Sequence, residues 1–219
     1  VPVCNAISTC NMKLVLKHSR EESFYPETIK TLDHLRENGW EIVLLQDNRF
    51  NIIEGYDFDM VITTSNPQYS FADFHNEALK FAKHGEWLFY LDFDEYLCDN
   101  FCERVKKYIN RDVHCYNIAR INIIIPQEKT GDVCGMYGWR SFNINIPEEG
   151  SVKAINFPDY QTRLVRAGTG KWYGNAHERF VCDNAFKHKT LPFDGGYIIH
   201  RKSFEKQITD NALWSTYTP

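Results

Sequence analysis

The chain has 219 residues, of which 25 are basic and 29 acidic, so its formal net charge is −4. Because the two signs of charge are well mixed, no basic face is expected for binding nucleic acid or an anionic membrane. The sequence has no run of apolar residues long enough for a membrane span and no charged-then-apolar start, so we expect neither a membrane span nor a targeting segment.

The seven cysteines occur at irregular spacing and include no Cys-X-X-Cys pair. This pattern argues against a disulfide framework and against a zinc site, and it indicates reduced thiols in the cytoplasm. The sequence begins at Val1 rather than Met and ends just after a helical pattern. We therefore expect a single domain that belongs to a longer protein.

The first half of the chain alternates between strand and helix patterns. Apolar runs predict strands over 1–7, 41–45, 60–64 and 87–91, followed by a long alternating strand through Ile118, Ile121 and Ile123. Capping and periodicity predict helices from Pro26 to 38, after Ser70, and over 99–110. Strands that alternate with helices in this way indicate βαβ units.

The second half is less regular. Glycine and proline punctuate 126–158, where we expect irregular loops or a hairpin. Strands are predicted over 160–166 and 196–199, the latter ending at His200, and a last helix from Ser203 or Phe204. The predicted fold is α/β: a Rossmann-like, mixed, mostly parallel sheet with helices on both faces.

Three carboxylates follow the buried strand over 87–91, namely Asp92, Asp94 and Glu95. In extended chain Asp92 and Asp94 project to one side and Phe93 to the other. Two carboxylates aimed at one point repel each other unless a cation lies between them, and Mg²⁺ or Mn²⁺ is the natural partner. The alternative is a solvated acidic turn, which short motifs of this kind often are.

These residues also carry a resemblance. Asn76-Glu77-Ala78-Leu79, Gly85-Glu86-Trp87 and Leu91-Asp92-Phe93-Asp94-Glu95 resemble the centre of the family 2 glycosyltransferases of the GT-A (nucleotide-diphospho-sugar transferase) fold. The later run through Arg163-Leu164, Trp172-Tyr173-Gly174 and His177-Glu178-Arg179 is similar to the lipopolysaccharide-core glucosyltransferase subgroup. The match spans most of residues 3 to 210, but the first loop lacks the usual Asn-Glu pair and Asp47-Asn48 replaces the usual acidic run, so the donor base and sugar stay open.

The resemblance implies a metal-dependent inverting hexosyltransferase in glycan biosynthesis. Its donor would be a UDP- or dTDP-sugar and its acceptor a saccharide. Residues 1–112 would form the nucleotide-sugar half and 113–219 the acceptor half. The longer protein would be a multi-domain, glycan-building one, and a viral source, with the host cytosol as its compartment, is compatible with this interpretation.

The metal and the base have candidate residues. His200, at the end of its strand, is the predicted third metal ligand beside Asp92 and Asp94, although a surface or core histidine is the alternative. Glu178 is the predicted base, with Asp159 and Asp194 as rivals. A salt bridge from Glu178 to Arg179 or Arg163 is the structural alternative.

The donor and acceptor also have candidate residues. Strand ends are where open α/β sheets bind nucleotides, which suggests a donor site built from a set of polar residues: Thr9, Asp47, Asn48, Asn76 and Asp92. Turn capping would explain several of these equally well. For the acceptor we expect Trp172, Tyr173 and Arg163, with core packing as the alternative for the two aromatic residues.

Two other functions stay open. A catalytically inactive sugar- or nucleotide-binding scaffold domain would have the same fold. A nucleotidyltransferase would also use a metal and paired carboxylates, but it would need a glycine-rich, basic loop after the first strand. Residues 8–17 contain lysines and no glycine, which favours the glycosyltransferase.

Overall fold

The computed structural model describes residues 12–18, 25–51, 53–65, 70–110, 112–174, 178–184 and 187–215. Within these ranges the strands are β1 Met12–His18, β2 Glu41–Asp47, β3 Met60–Thr64, β4 Trp87–Asp92, β5 Glu95–Leu97, β6 Cys115–Ile125, β7 Ser141–Ile146, β8 Gly150–Arg166, β9 Gly170–Tyr173, β10 Arg179–Cys182, β11 His188–Thr190 and β12 Tyr197–Ser203. The helices are α1 Pro26–Glu37, α2 Phe71–Phe81, α3 Phe101–Lys106, α4 Thr130–Tyr137 and α5 Phe204–Ser215.

Ten of these strands form one sheet. Its main path has the order β3-β2-β1-β4-β8-β6-β12-β5, while β7 pairs with β8 and β11 pairs with β6. The first four strands of the path are mutually parallel, and all strands of the sheet except β5 and β8 run in one direction. The parallel order β3-β2-β1-β4 is that of a Rossmann-like half.

Helices cover both faces of the sheet, and the central strand β4 is apolar on both sides to pack against them. Phe89 and Leu91 pack in the same cluster as residues of α1 and α3, whereas Leu88 and Tyr90 pack with residues of α2. A strand buried on both faces reads as a continuous apolar run, as in parallel sheets. The predicted architecture, a mixed and mostly parallel sheet between helices, is therefore confirmed.

The central strand β1 differs from the sequence-based prediction. The predicted first strand over 1–7 lies outside the described residues, and the strand that pairs with β2 and β4 is Met12–His18. The strand was not predicted because Lys13 and Lys17 interrupt its apolar pattern. Lys13 pairs with Glu41, and Lys17 is 5% exposed and pairs with Asp92. Charged residues enter a buried strand when each has a partner of opposite charge.

Most other predicted elements are confirmed within a few residues. The helix α1, the strands β2, β3 and β4, and the start of α5 agree, while α3 is shorter than predicted. Ser70 caps α2, since its Oγ accepts a hydrogen bond from the amide of Asp73 at 3.3 Å. No helix in the described part of the chain is both long and apolar enough to cross a membrane.

The segment over 126–158 contains more regular structure than predicted. The expected hairpin is present as β7 and β8, but the expected loops include the helix α4. Two glycines in α4, Gly131 and Gly135, lower its intrinsic helix propensity. Packing of Val133 against Ile124 and Ile155 accounts for the helix instead.

Candidate active site

A cavity of about 860 Å³ opens beyond the carboxyl end of β4. Its volume falls within the range of small-ligand sites. The lining includes side chains from six strands of the ten-stranded sheet and from α2 and α5. Six lining residues are central to the chemistry of the cavity: Asp92, Asp94, Arg163, Glu178, His200 and Lys206. All of these six except Lys206 were predicted as catalytic, metal or acceptor residues, and the predicted Trp172 and the rival base Asp159 line the cavity as well.

Asp94 lies between two nitrogen groups. Its Oδ2 is 3.2 Å from Nε2 of His200 and accepts a hydrogen bond of 2.9 Å from Nζ of Lys206. Burial alone would raise the pKa of Asp94, but the charges of His200 and Lys206 outweigh it and hold that pKa far below its usual value. The carboxylate therefore stays ionised and able to bind a cation.

The orientation of the His200 ring is set by Asn122. Nδ2 of Asn122 donates to Asp159, so its Oδ1 is free to accept, and this oxygen lies 2.8 Å from Nδ1 of His200. Nδ1 therefore carries a proton, and Nε2 is the ring nitrogen that faces Asp94. A lone pair facing a carboxylate is unfavourable unless a proton or a metal ion lies between them.

Asp92 faces the same cavity but already has two cationic partners. Oδ1 is 2.7 Å from Nζ of Lys17, and Oδ2 accepts two hydrogen bonds of 3.2 Å from the guanidinium of Arg163. Burial would raise the pKa of Asp92, yet Lys17 and Arg163 hold it well below its usual value. Asp92 thus positions two cations at the cavity in addition to any ligand role.

Beneath these groups lies Glu95, which sequence reasoning placed in the acidic motif but gave no role. Its side chain is fully buried and accepts hydrogen bonds from Arg163 at 2.6 Å, Arg120 at 3.1 Å and the amide of Asp92 at 2.9 Å. Arg120 also donates two hydrogen bonds to Asp159. A chain of alternating charges therefore connects the end of β4 with β6 and β8.

Glu178 differs from the other carboxylates that line the cavity. Asp92, Asp94, Asp159 and Asp210 each contact a lysine or arginine at 3.2 Å or less. Within the described residues, the basic side chain that lies within ion-pair distance of Glu178 is His75, whose Nδ1 is 3.8 Å from the carboxylate.

The His75 ring is buried against Tyr90 and Trp172, and neither of its nitrogens has a hydrogen-bond partner among the described residues. Burial, reinforced by the charge of Lys17, lowers the pKa of His75 well below its usual value. The ring is therefore neutral, and Glu178 faces it without forming an ion pair.

The two rival bases have other contacts. One oxygen of Asp159 accepts hydrogen bonds from Arg120, Asn122 and Gln161. Burial opposes ionisation of Asp159, but Arg120 and Asn122 lower its pKa, which weakens it as a proton acceptor. Asp194 accepts a hydrogen bond of 2.7 Å from Tyr108 and does not line the cavity.

Of the predicted donor residues that the structure describes, Asp92 lines the cavity, whereas Asp47, Asn48 and Asn76 do not. Thr9 lies outside the described residues, and since it precedes β1, the loop beyond the carboxyl end of that strand does not contain it. Asp47 is buried and bonded to Arg49, and Asn48 is exposed; neither lines the cavity. Asn76 instead binds the backbone of Trp172, donating to its carbonyl at 2.9 Å and accepting from its amide at 3.0 Å.

The predicted acceptor residues differ in exposure. Trp172 is 3% exposed and contacts three aromatic rings, His75, Tyr90 and Phe180, so core packing accounts for most of its surface. Tyr173 is 58% exposed, which leaves its ring available for stacking. Arg163 lines the cavity but is almost fully buried, with its guanidinium hydrogen-bonded to Asp92 and Glu95.

Several cavity residues were missed by sequence reasoning. Lys17 belongs to a strand that was predicted elsewhere, and Lys206 lies on α5 with no motif around it. Arg120 and Asn122 alternate with the apolar residues of β6, so they share the face opposite Ile121 and Ile123. This alternation of polar residues within an otherwise apolar strand could have predicted that Arg120 and Asn122 face a polar site.

Comparison with known proteins places this geometry in context. No protein-family model matches the chain, and no curated protein matches its sequence. Similar solved structures include the inositol-1-phosphate CTP transferase from T. maritima, at 12% identity and a TM-score of 0.39, covering 90% of this chain and 86% of that one. They also include HddC from Yersinia pseudotuberculosis, at 10% identity and a TM-score of 0.33, covering 87% of this chain and 89% of that one. The HddC complex with GMP-PN has the same identity and TM-score and covers 88% and 90%. Similarity at this level carries over neither an activity nor a substrate.

Proposed function

We propose that the chain is a metal-dependent inverting glycosyltransferase that moves a hexosyl group from a UDP- or dTDP-sugar to a hydroxyl group of a saccharide. The observation that carries this proposal is the pair formed by Asp94 and His200, which lines the same cavity as Glu178. A carboxylate and an oriented imidazole can hold a metal ion, while a separate carboxylate in the same cavity can accept a proton.

Asp94 and His200 would hold Mn²⁺ or Mg²⁺, with Asp92 as a further oxygen ligand. The residues fit such an ion because Nε2 of His200 and an ionised oxygen of Asp94 face each other at 3.2 Å, and Asn122 fixes the orientation of the ring through Nδ1. When bound, the ion would supply Lewis-acid stabilisation of the negative charge on the diphosphate. Lys206, which donates a hydrogen bond of 2.9 Å to Asp94, would lie beside the ion as a further positive charge.

Basic side chains of the cavity would stabilise the departing nucleotide diphosphate. Lys17 and Arg163 are held by Asp92, and Lys206 by Asp94, so their charges are already oriented toward the carboxyl end of β4. Preorganised cations that face developing negative charge lower the barrier without reorganising during the reaction.

Glu178 would accept the proton of the attacking saccharide hydroxyl. Among the described residues, no lysine or arginine forms an ion pair with its carboxylate, although the charge of Arg163 attracts it from a longer distance; Asp159, in contrast, is held directly by Arg120. Direct attack by the hydroxyl on the anomeric carbon forms the new glycosidic bond as the bond to the diphosphate breaks, which inverts the configuration. The neutral ring of His75, 3.8 Å away, would position Glu178.

Nucleotidyl transfer is the second candidate. In its favour, several basic residues line the cavity and could face a triphosphate: Lys17, Arg120, Arg163, Lys202 and Lys206. Against it, the sequence that directly follows β1, residues 19–24, contains no glycine. A glycine-rich loop at this place is what allows backbone amides to surround phosphate groups.

The test is an activity assay with a panel of UDP- and dTDP-sugars and saccharide acceptors, in the presence of Mn²⁺, Mg²⁺ or a chelator. We expect metal-dependent release of nucleotide diphosphate and a product of inverted anomeric configuration. Replacing Glu178 by Gln should lower kcat by roughly 10²–10⁴-fold without weakening donor binding. Replacing Asp94 by Ala should abolish metal-dependent donor binding, and the exposed Asp132→Asn variant is the matched control.

Two results would overturn the proposal. Release of pyrophosphate from a nucleoside triphosphate and a sugar phosphate, with no turnover of sugar nucleotides, would establish nucleotidyl transfer. Binding of sugar nucleotides without turnover, unchanged by Glu178→Gln, would establish the scaffold domain. Donor binding that keeps its metal dependence in Asp94→Ala would remove Asp94 from the metal site.

A further inference from the structure

A second group of side chains of metal-binding types lies where three strands meet, and one of its members, His188, also lines the cavity. Cys115 begins β6, Cys182 ends β10 and His188 begins β11. The two sulfur atoms are 3.0 Å apart, and these sulfurs and a ring nitrogen of His188 all lie within 4.8 Å of one another. His188 is the register partner of Cys115 in the parallel pair of β11 and β6, so the backbone itself brings these two residues together.

The His188 ring is oriented by a neighbouring carbonyl group. Nε2 of His188 lies 2.8 Å from Oδ1 of Asn117, an oxygen that also accepts a hydrogen bond of 2.8 Å from Thr162. Nδ2 of Asn117 faces Thr190 instead, which identifies Oδ1 as the acceptor. Nε2 therefore carries the proton, and Nδ1 keeps a lone pair for a ligand. Histidines that bind metals are commonly oriented in this way, by donating the other N–H group to an oxygen.

The kinds of donor atom determine which ion would fit. Two thiolates and an imidazole match zinc, whereas Mn²⁺ and Mg²⁺ prefer oxygen ligands. Two thiolates also balance the charge of one divalent ion, which suits a site where Cys115 is fully buried. Cys182 and His188 are only half-buried, so an ion could enter from that side.

We propose that Cys115, Cys182 and His188 form a zinc site, with the fourth coordination position open to water. The site is separate from the metal-binding pair in the proposed active site, because it uses different residues and a softer donor set. A zinc ion here would join the hairpin of β9 and β10 to β6 of the central sheet. The absence of a Cys-X-X-Cys pair does not count against it, since its ligands come from three different strands.

The experiment is a metal analysis of the reduced chain, purified without chelator and then equilibrated with zinc. We expect one zinc ion per chain, and cobalt substitution should give the near-ultraviolet thiolate charge-transfer band and the visible bands of tetrahedral Co²⁺. The Cys182→Ser and His188→Ala variants should lose the ion and the thiolate band should weaken or vanish. Cys134→Ser, which alters a half-buried cysteine on α4 outside the cluster, and Asp94→Ala should retain both.

Cys182 and His188 are chosen for substitution because they are half-buried, and a buried change at Cys115 could prevent folding. Zinc should also protect Cys182 from thiol-specific labelling in the folded wild-type chain. The proposal is wrong if the reduced chain binds no zinc or cobalt, or if Cys182→Ser and His188→Ala bind as much as the wild type. It is equally wrong if Cys115 and Cys182 form a disulfide that zinc neither prevents nor competes with under mildly reducing conditions.

Discussion

Glu95 is the residue at which the charges around the cavity converge. It is fully buried and contacts both Arg163 and Arg120, which in turn hold Asp92 and Asp159. Two guanidinium groups could not be buried here without a carboxylate between them, because isolated buried charges are costly. Glu95 therefore sets the positions of residues that line the cavity, although its own side chain does not line it.

Replacing Glu95 by Gln tests this role. The amide keeps the shape of the side chain but leaves two guanidinium groups with less negative charge, so the free energy of unfolding should fall by about 3 kcal/mol. Urea denaturation followed by tryptophan fluorescence measures the change. The exposed Asp132→Asn variant should stay within about 0.5 kcal/mol of the wild type. A loss in Glu95→Gln no larger than this control would show that the buried network does not depend on Glu95.

The pH dependence of stability should reveal His75. Burial lowers its pKa well below the usual value in the folded chain, whereas in the unfolded chain it titrates near pH 6.5. Below about pH 6.5 the unfolded state binds a proton that the folded state does not, so the stability from the neutral ring is lost as the pH falls.

The His75→Phe variant keeps an aromatic ring against Tyr90 and Trp172 but cannot bind a proton. Between about pH 6 and pH 5, the slope of unfolding free energy against pH should decrease by about 1.4 kcal/mol per pH unit. Urea denaturation across this range measures it, with the same substitution at the exposed His84 as the control for loss of one histidine. A slope equal to that of the wild type would contradict the buried, neutral state of His75.

At the level of single residues, the sequence was informative where the local pattern indicates that a residue lies at a strand end or in a motif. Asp94, His200 and Glu178, which line one cavity, were predicted as site residues because they lie at predicted strand ends or in a motif. The pairing of Lys17 with Asp92 was not foreseen, since it depends on which strand is the neighbour of β4. Contacts between strands depend on register and topology, which local patterns do not specify.

At the scale of elements, the hairpin of β9 and β10 depends on one side chain of α2. Asn76 makes hydrogen bonds to both the amide and the carbonyl of Trp172, and this residue anchors β9 against the helix. The hairpin forms its own two-stranded sheet, and isolated hairpins are marginally stable in water. Its position beside Glu178 therefore rests on the contacts of α2 with β9.

Replacing Asn76 by Ala should destabilise the chain by about 1–3 kcal/mol, because two buried backbone groups of Trp172 lose their partner. Hydrogen exchange should accelerate in β9 and β10 more than in β1, which has a neighbouring strand on each side in the central sheet. Asn48→Ala, at an exposed turn, is the matched control. Equal acceleration in β1 and β9 would show that Asn76 stabilises the fold as a whole rather than the hairpin.

The elements that were predicted well and those that were missed differ in how they are stabilised. α2 carries its own cap at Ser70 and one apolar stripe, and β4 is apolar on both faces, so each is visible in its own sequence. α4 contains two glycines and depends on packing against Ile124 and Ile155. β1 carries lysines whose partners, Glu41 and Asp92, come from neighbouring strands. Such elements are determined by tertiary contacts that override local propensity.

At the scale of the whole molecule, the sheet does not divide at the boundary that we predicted, after residue 112, between a nucleotide-sugar half and an acceptor half. β4 pairs with β8 across this boundary, and β5 pairs with β12. The larger apolar cluster likewise contains Phe89 and Phe101 from the first half and Ile121, Leu164 and Ile198 from the second. The halves differ in their proposed roles but share one core, so they should fold as one cooperative unit.

A chain cut to residues 1–112 should therefore fail to fold by itself. It would keep β3, β2, β1 and β4 but expose the edge of β4 from Trp87 to Phe89, which β8 covers in the intact chain. β5 would lose its partner β12, and the apolar cluster would lose the side chains of β6, β8 and β12. An uncovered apolar edge strand also promotes aggregation.

We expect the shortened chain to lack a cooperative transition in urea, whereas in the intact chain fluorescence and far-ultraviolet circular dichroism should report one coincident transition. A soluble 1–112 fragment that unfolds cooperatively would show that the nucleotide-sugar half is an independent folding unit. The carboxylates at the end of β4 would then not need the second half to be held in place.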